Sequence, residues 1–427
     1  MSSVNKTGSD LARRELALRQ LAHVSNWSPA DRQWSLKRIR IFDKQRARLS
    51  VLVKEGRTSE ARRLQDHLLN SLGGSMSVIL DQLVPRPLDQ LPQALTLDEI
   101  IERARAIKPT ARVLSSAVAK KLNKSDGTHR VVLSPGAKIR AAQDLVGELL
   151  ECWSLINHFD YNVKGRGNIA AVREIIRQID EDGARHFVIF DCKNFFTSVR
   201  PTHLGGVPLP RQVLMHVAYY NRNVKLLHSS LDAAEVEAAR HGLPAGARLS
   251  GTLAASFLGR EVRKVCGTMG LPVMYVDDVI IGGCDPAGAR YLAETLRTRF
   301  SQHPGGPLSF KKIAIANAYD GFSYLGYWIK LVQHNDCGEK LILKPSHEAK
   351  MKMKRRLFEI LKNLGKSASF DDLIARADSY LKSWRTGFSL WEPSQDALVD
   401  LEDEVHCIVG DFQGGLWKKY PCHGTLP

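Results

Sequence analysis

The chain has 427 residues, enough for a large core and two to four structural units, which excludes a peptide-sized adaptor. Sixty-one Lys and Arg against forty-five Asp and Glu give a formal charge of +16, which favours a polyanionic partner, nucleic acid first and a membrane surface second. The opening "MSSVNKTGSDLARRELALRQ" has no apolar leader segment and no long uncharged apolar run follows, so neither secretion nor membrane spanning is indicated and a cytoplasmic location is expected.

From Trp34 to Leu72, apolar residues recur at helical spacing and Gly56 is a natural stop. Thr58 or Ser59 can cap a second helix with Glu60 in its first turn, which predicts a helical hairpin. Met1 to Leu83 holds fifteen Lys and Arg against eight Asp and Glu, which suits either a solvated helix face or a nucleic-acid surface. "VPRPLDQLP", with three prolines, reads as a linker, and "TLDE" from Thr96 has capping-box spacing. "KSDGTHRVVLSPGAKIR" predicts a hairpin rich in cations, and "ARHFVIFDCKNFFTSV" a strand running into Asp191. "GLPVMYVDDVIIGG" gives two more strands around Asp277 and Asp278, and the helical segments nearby make the centre α+β. "HEAKMKMKRRLFEILKNL" predicts a basic helix. "FDDLIARADSYLKSW" sets Phe370, Leu373, Ile374, Ala377, Tyr380, Leu381 and Trp384 on one stripe, read as core.

Seven cysteines without a C-x-x-C argue against a disulfide framework or zinc ribbon. His406, Cys407, Cys422 and His423 could supply four zinc ligands, but adjacent ligands point apart on a strand or helix.

Asp277 and Asp278 place two like charges in an apolar run. A turn would explain them, yet a two-residue hairpin prefers Asn-Gly or Asp-Gly, and Asp-Asp repels itself. Asp191 ends a second apolar strand, so neighbouring strands could deliver three carboxylates to one sheet edge. Such oxygen donors suit Mg²⁺, and two ions about 3.5–4 Å apart would clamp an in-line phosphoryl transfer.

"FDCKNFFTSV", "GLPAGARLSG", "MYVDDVII", "LSFKK" and "FSYLGYWI" resemble, in order and approximate spacing, the palm motifs of bacterial reverse transcriptases related to group II introns and retrons. "HRVVLSPGAKIRAAQ" and "NVKGRGNIAAVREI" resemble the fingers, and "RLSVLVKEGRTSEARRLQDHLLNSL" the N-terminal helices of intron-encoded enzymes; about two-thirds of the chain is covered. The resemblance implies an α+β right-hand polymerase: a basic helical extension over 1–94, fingers over 95–180, palm over 181–330 and helical thumb over 331–427.

The resemblance also implies roles. Asp191, Asp277 and Asp278 match the metal-binding aspartates, with the Cys192 carbonyl as an extra ligand and two Mg²⁺, or Mn²⁺ as substitute, as cofactors. Phe196 matches the aromatic gate against a ribose 2′-hydroxyl. Arg130 and one of Lys138 or Arg140 match finger cations that hold a triphosphate. Lys312 matches the lysine that protonates pyrophosphate, with Lys311 competing, and Tyr324, Leu325, Gly326 and Tyr327 match the primer-grip hairpin. Ala245 departs from the family: it stands where most templating relatives carry a glutamine near the incoming base, and Ser250 is followed by Gly251 in place of proline.

The expected activity is RNA-directed DNA synthesis from a primer with dNTPs. The expected template is a dedicated structured noncoding RNA, in a defence-associated, abortive-infection-like antiviral role. No Cys- or His-rich nuclease segment follows the thumb, so mobility by target cleavage is not expected. An accessory protein or homo-oligomer is compatible. An intron maturase and a protein-primed or template-independent polymerase stay open as alternatives.

Overall fold

The computed structural model describes residues 2–83, 95–112, 115–123, 129–163, 165–228, 230–267, 270–334, 338–364 and 369–413. The proline-rich stretch read as a linker, and Cys422 and His423, lie outside them.

Four helices open the chain: α1 (Ser2–Val24), α2 (Pro29–Lys54), α3 (Thr58–Leu69) and α4 (Leu72–Leu83). Ser28 and Asp31 form a capping box before α2, and Gly56 turns the chain in a left-handed conformation. Thr58 and Ser59 do not cap α3. It already begins at Thr58 with Arg57 at the cap position, and Arg57 instead pairs with Glu60 through its guanidinium. Helix α5 (Leu97–Arg105) starts from the predicted Thr96–Glu99 box.

Strands β1 (Ser116–Asn123) and β2 (His129–Pro135) form the predicted antiparallel hairpin, followed by α6 (Ala137–Glu151). The N-terminal helices dock on α6 through a shared apolar core and a buried charge network. Arg14 donates to Asp43 (3.0 Å), to Asp81 (2.7 and 3.1 Å) and to Glu148, while Arg46 donates to Glu148 (2.7 Å). Burial pushes the Glu148 and Asp43 carboxyls up and the two arginines pull them back.

Helix α7 (Asn168–Asp180) leads into β3 (His186–Cys192), short α8 (Phe195–Ser198), a turn α9 (Arg211–Val213), β4 (Lys225–Leu227) and α10 (Ala233–Ala239). Strand β4 leaves the central sheet and pairs in parallel with β1. Helix α11 (Arg248–Cys266), strands β5 (Leu271–Tyr275) and β6 (Asp278–Cys284), α12 (Pro286–Ser301) and β7 (Phe310–Asn317) complete the centre.

The central sheet has the order β5-β6-β3-β7, each neighbour antiparallel. It is buried on both faces, which is why its strands read as near-continuous apolar runs. On one face, Val188, Phe190, Met274, Val279 and Ile281 join the core that includes α11 and α12. On the other, Phe187, Ile189, Val273 and Ile280 join α7 and the strands β8 (Phe322–Tyr324) and β9 (Tyr327–His334).

Strand β10 (Gly338–Pro345) pairs with β9, and α13 (His347–Leu364), α14 (Phe370–Thr386) and α15 (Gln395–Gln413) close the described chain around their own core. The predicted stripe on α14 is core at Leu373, Ala377 and Leu381 and partly buried at Ile374, Tyr380 and Trp384. Phe370, the first residue of the helix, is exposed. Among the described residues, no helix is long and apolar enough to cross a membrane.

Candidate active site

The ladder register puts four residues side by side across the central sheet. Tyr275 faces Asp278, Asp278 faces Asp191, and Asp191 faces Lys312. Directly paired residues project from the same face. By the two-residue alternation this is the face shared with Phe187, Ile189, Val273 and Ile280, so the carboxylates emerge where that buried face reaches the sheet end.

Asp277 is not part of the row. It sits in the two-residue turn Val276–Asp277 that joins β5 to β6, and Val276 holds a left-handed conformation with φ of 60°. A β-branched side chain rarely accepts that region, and the strain is of order 1–3 kcal/mol. The turn dipeptide is therefore Val-Asp and not Asp-Asp, with positive φ only at its first position, as in II′-type hairpins. Asp278 opens the second strand.

Loss of surrounding water, then Asp277 and then Asp191, push the Asp278 carboxyl up to about 6, while Lys352 of α13 and Lys311 draw it down. Its side chain still reaches solvent, so the direction and the like-charge neighbours are the significant facts. Among the described residues, no three His, Cys, Asp or Glu are gathered tightly enough to hold a metal alone. The donor set fits a hard divalent cation in sign and in its oxygen chemistry, a cation that takes further ligands from water and substrate phosphate. The Cys192 thiol is buried in the core and pushed well up by burial, Asp277 and Asp191, so its carbonyl is the group left to offer.

Beyond Asp191 the chain turns through Asn194 in a left-handed conformation into α8, where Phe195 is buried and Phe196 half-buried. The Phe196 carbonyl accepts from Leu243 N–H (2.8 Å), and Ala245 O accepts from Leu133 N–H (2.9 Å), tying the "GLPAG" loop to both α8 and β2. Gly242 and Gly246 are required there. Both have positive φ, and a Cβ would lie 2.3 Å from the Thr197 carbonyl oxygen or 2.4 Å from Val132 Cγ1. The loop geometry is kept although the glutamine is not.

Arg130, Lys138 and Arg140 are all exposed, with Arg140 donating to the Pro135 carbonyl (3.1 Å). They do not form one cluster. Arg130 starts β2 and the other two follow its end, roughly 15–17 Å along the strand. Arg130 shares a strand face with Val132, which abuts Gly246.

The predicted grip hairpin is present, with Tyr324 paired to Tyr327 and a turn at Leu325 (φ 46°) and Gly326 (φ 87°). Both tyrosines are buried. Tyr324 O–H donates to the carbonyls of Asp278 (3.3 Å) and Val273 (3.4 Å), and Tyr327 packs on Phe388 and donates to Gly387 O (3.3 Å). The turn is partly buried: Leu325 packs against the core and Gly326 O accepts from Ser346 N–H (2.7 Å).

Sequence reasoning missed Val276, Tyr324 as a support for Asp278, and the nearness of Lys352, which it had read as a backbone-following cation, to Asp278. Val276 breaks the usual turn preference, so no turn rule could find it. The basic helix α13 was found, but several of its cations are already paired: Lys352 with Glu348 (3.0 Å), Lys354 with Glu404 and Arg356 with Glu359 (2.7 Å).

An antiparallel sheet bearing acidic residues at one end, with helices packed on it and a β-hairpin preceding it in the chain, is the α+β arrangement expected of a right-hand polymerase. Residues 122–329, just under half of the chain, match the family model described as "Reverse transcriptase (RNA-dependent DNA polymerase)". Among solved structures, apo telomerase from Candida tropicalis truncated from its C-terminal domain aligns at 12% identity and a TM-score of 0.39, covering 55% of this chain and 56% of that one. Telomerase from Candida albicans with a TWJ fragment of telomeric RNA aligns at 10% identity and 0.35, covering 73% and 62%. The matched part thus spans less than two-thirds of either chain. No curated protein matches.

Proposed function

We propose that the protein extends a primer 3′ end with deoxynucleotides on an RNA template. The single observation that carries this reading is the cross-strand neighbourhood of Asp191 and Asp278, with Asp277 on the adjoining strained turn. Two Mg²⁺ ions, or Mn²⁺ in their place, would supply the positive charge that stabilises the attacking and leaving oxygens. Asp191, Asp277 and Asp278 hold them, with the Cys192 carbonyl assisting.

Phe196 closes the space beside the sugar, its main chain fixed by the "GLPAG" loop. Arg130, near the start of β2, draws the triphosphate in; Lys138 and Arg140, beyond the far end of that strand, do not join it there. Lys312 gives a proton to departing pyrophosphate from its place opposite Asp191, with Lys311 the competing donor. The turn at Leu325 and Gly326 supports the primer end. In this reading residues 1–94 are an RNA-binding extension, 95–180 fingers, 181–330 palm and 331–427 thumb. The pairing of β4 with β1 and the packing of α7 on the sheet make the boundary at 180/181 spatially interleaved.

The basic flanks and Ala245 favour a dedicated noncoding RNA template and a bacterial antiviral role, within the group II intron and retron-related lineage. Incubation of the purified protein with a primed RNA template, dNTPs and Mg²⁺ tests the chemistry. Synthesis that is lost in the D277A/D278A double variant while RNA retention persists supports it; unchanged synthesis overturns the site. Sequencing the RNA and DNA that copurify with wild type, against the double variant, identifies template and product.

A further inference from the structure

The face of the central sheet opposite the carboxylates carries a second cluster of charge that polymerisation leaves unused. Its centre is Glu261 on α11, a carboxylate 1% exposed. It accepts from Arg260 Nε (3.2 Å), Lys264 Nζ (2.9 Å), and Arg299 Nε and Nη2 (3.0 and 2.7 Å). A buried acid held by three donors fixes those cations in place. Glu261 against three cations leaves the cluster net cationic, the cations being 33%, 49% and 37% exposed, and Glu294, the other carboxylate lining the larger cavity, is paired with Arg297.

The arrangement is built from the backbone outward. Arg260 Nη2 also donates to His203 O (2.7 Å), and its guanidinium lies against Gly206, where a Cβ would come within 2.5 Å of Nη1 and make the guanidinium shift. Two adjoining cavities of about 540 and 940 Å³ open beside these groups and share Lys264, His303 and Pro304. The larger is also lined by Tyr291, 62% exposed on α12. Tyr291, Thr295 and Arg299 recur at four-residue spacing and so share one helix face over about 12 Å, facing Arg260 and Lys264 at the same spacing on α11.

An exposed tyrosine alone needs no explanation. Beside fixed cations in a long cleft it offers what a single strand requires: positive groups for successive phosphates and a ring for a base. We infer that the α11–α12 groove binds a single-stranded segment of RNA, with Arg260, Lys264 and Arg299 on phosphates and Tyr291 stacked on a base. The preference for RNA over DNA rests on the RNA-directed reading above; the groove itself does not.

The test is photocrosslinking of a short 5-iodouridine RNA to the full chain, with labelled peptides mapped by mass spectrometry and affinity followed by fluorescence anisotropy. The expected result is a label on Tyr291, about tenfold weaker binding in Tyr291→Ala, retention in Tyr291→Phe, and a salt dependence shallower by about one in Lys264→Gln. Primer extension on a short preannealed duplex stays at wild-type rate in these variants, which also shows that they fold. Label confined to peptides of the carboxylate face, or unchanged affinity in Tyr291→Ala, overturns the groove. Equal competition by ADP or inorganic phosphate overturns the strand in favour of a small anion, and equal affinity for the matching DNA overturns the choice of RNA. Crosslinking is read in the D277A/D278A background too: a label on Tyr291 there sustains the groove even if extension fails in wild type.

Discussion

Two charge clusters in this molecule follow opposite rules. Around Arg14, cations and anions from α1, α2, α4 and α6 are interleaved and nearly all buried, so each charge has its counterpart within the protein. At the sheet end, Asp191, Asp277 and Asp278 push on one another, and the Asp278 carboxyl is driven up to about 6 by loss of water and by those neighbours. A near-balanced cluster serves the fold, whereas like charges held together are what the proposed cation would relieve.

The comparison can be broken at either end. Asp191→Ala or the D277A/D278A pair should lower DNA synthesis by about 10³-fold or more, while thermal unfolding occurs at the wild-type temperature or above it, because repulsion is removed. A large fall in stability would place these residues with the structural cluster. Arg14→Ala should do the reverse. Taking the buried guanidinium from among Asp43, Asp81 and Glu148, and leaving them only Arg46 and Arg13, should cost about 3 kcal/mol in urea unfolding, with the specific activity of the folded fraction retained.

Val276→Gly sharpens the comparison further. Release of the left-handed strain should raise stability by about 1 kcal/mol and slow synthesis several-fold, as Asp277 loses its rigid seat. The smallest effect is acid-dependent. Although burial pushes the Glu261 carboxyl up, hydrogen bonds from Lys264, Arg299 and Arg260 outweigh it and hold the group at about 2, below its ordinary 4.5. Its stabilising contribution is therefore complete above about pH 4.5 and is lost as pH falls through about 2. Urea midpoints of wild type and Glu261→Gln should differ near neutrality and converge in acid.

Much of this was legible in the sequence because local chemistry and global fold agree. The apolar run of β3 leads into Asp191, those of β5 and β6 flank Asp277 and Asp278, and "HEAKMKMKRRLFEILKNL" became α13 with those bounds. The α+β centre followed from the same patterns. Other features were hidden because they are long-range. Nothing local tells that Arg14 is buried against Glu148, that β4 travels back to β1, or that Tyr324 and Tyr327 turn inward. The turn at Val276 was hidden for a different reason: it defies local preference, and only the surrounding ladder holds it.

The Tyr324–Tyr327 hairpin has a mechanical consequence. One end is fastened to the Asp278 carbonyl by the Tyr324 hydroxyl, and the other to the start of α13 by the Ser346 amide. The hairpin is thus a coupling rod between the C-terminal helices and the acidic turn. A displacement of α13 would reach the Asp278 carbonyl through two hydrogen bonds and one short ribbon, and under the proposed function stepping along a duplex and chemistry would share that linkage.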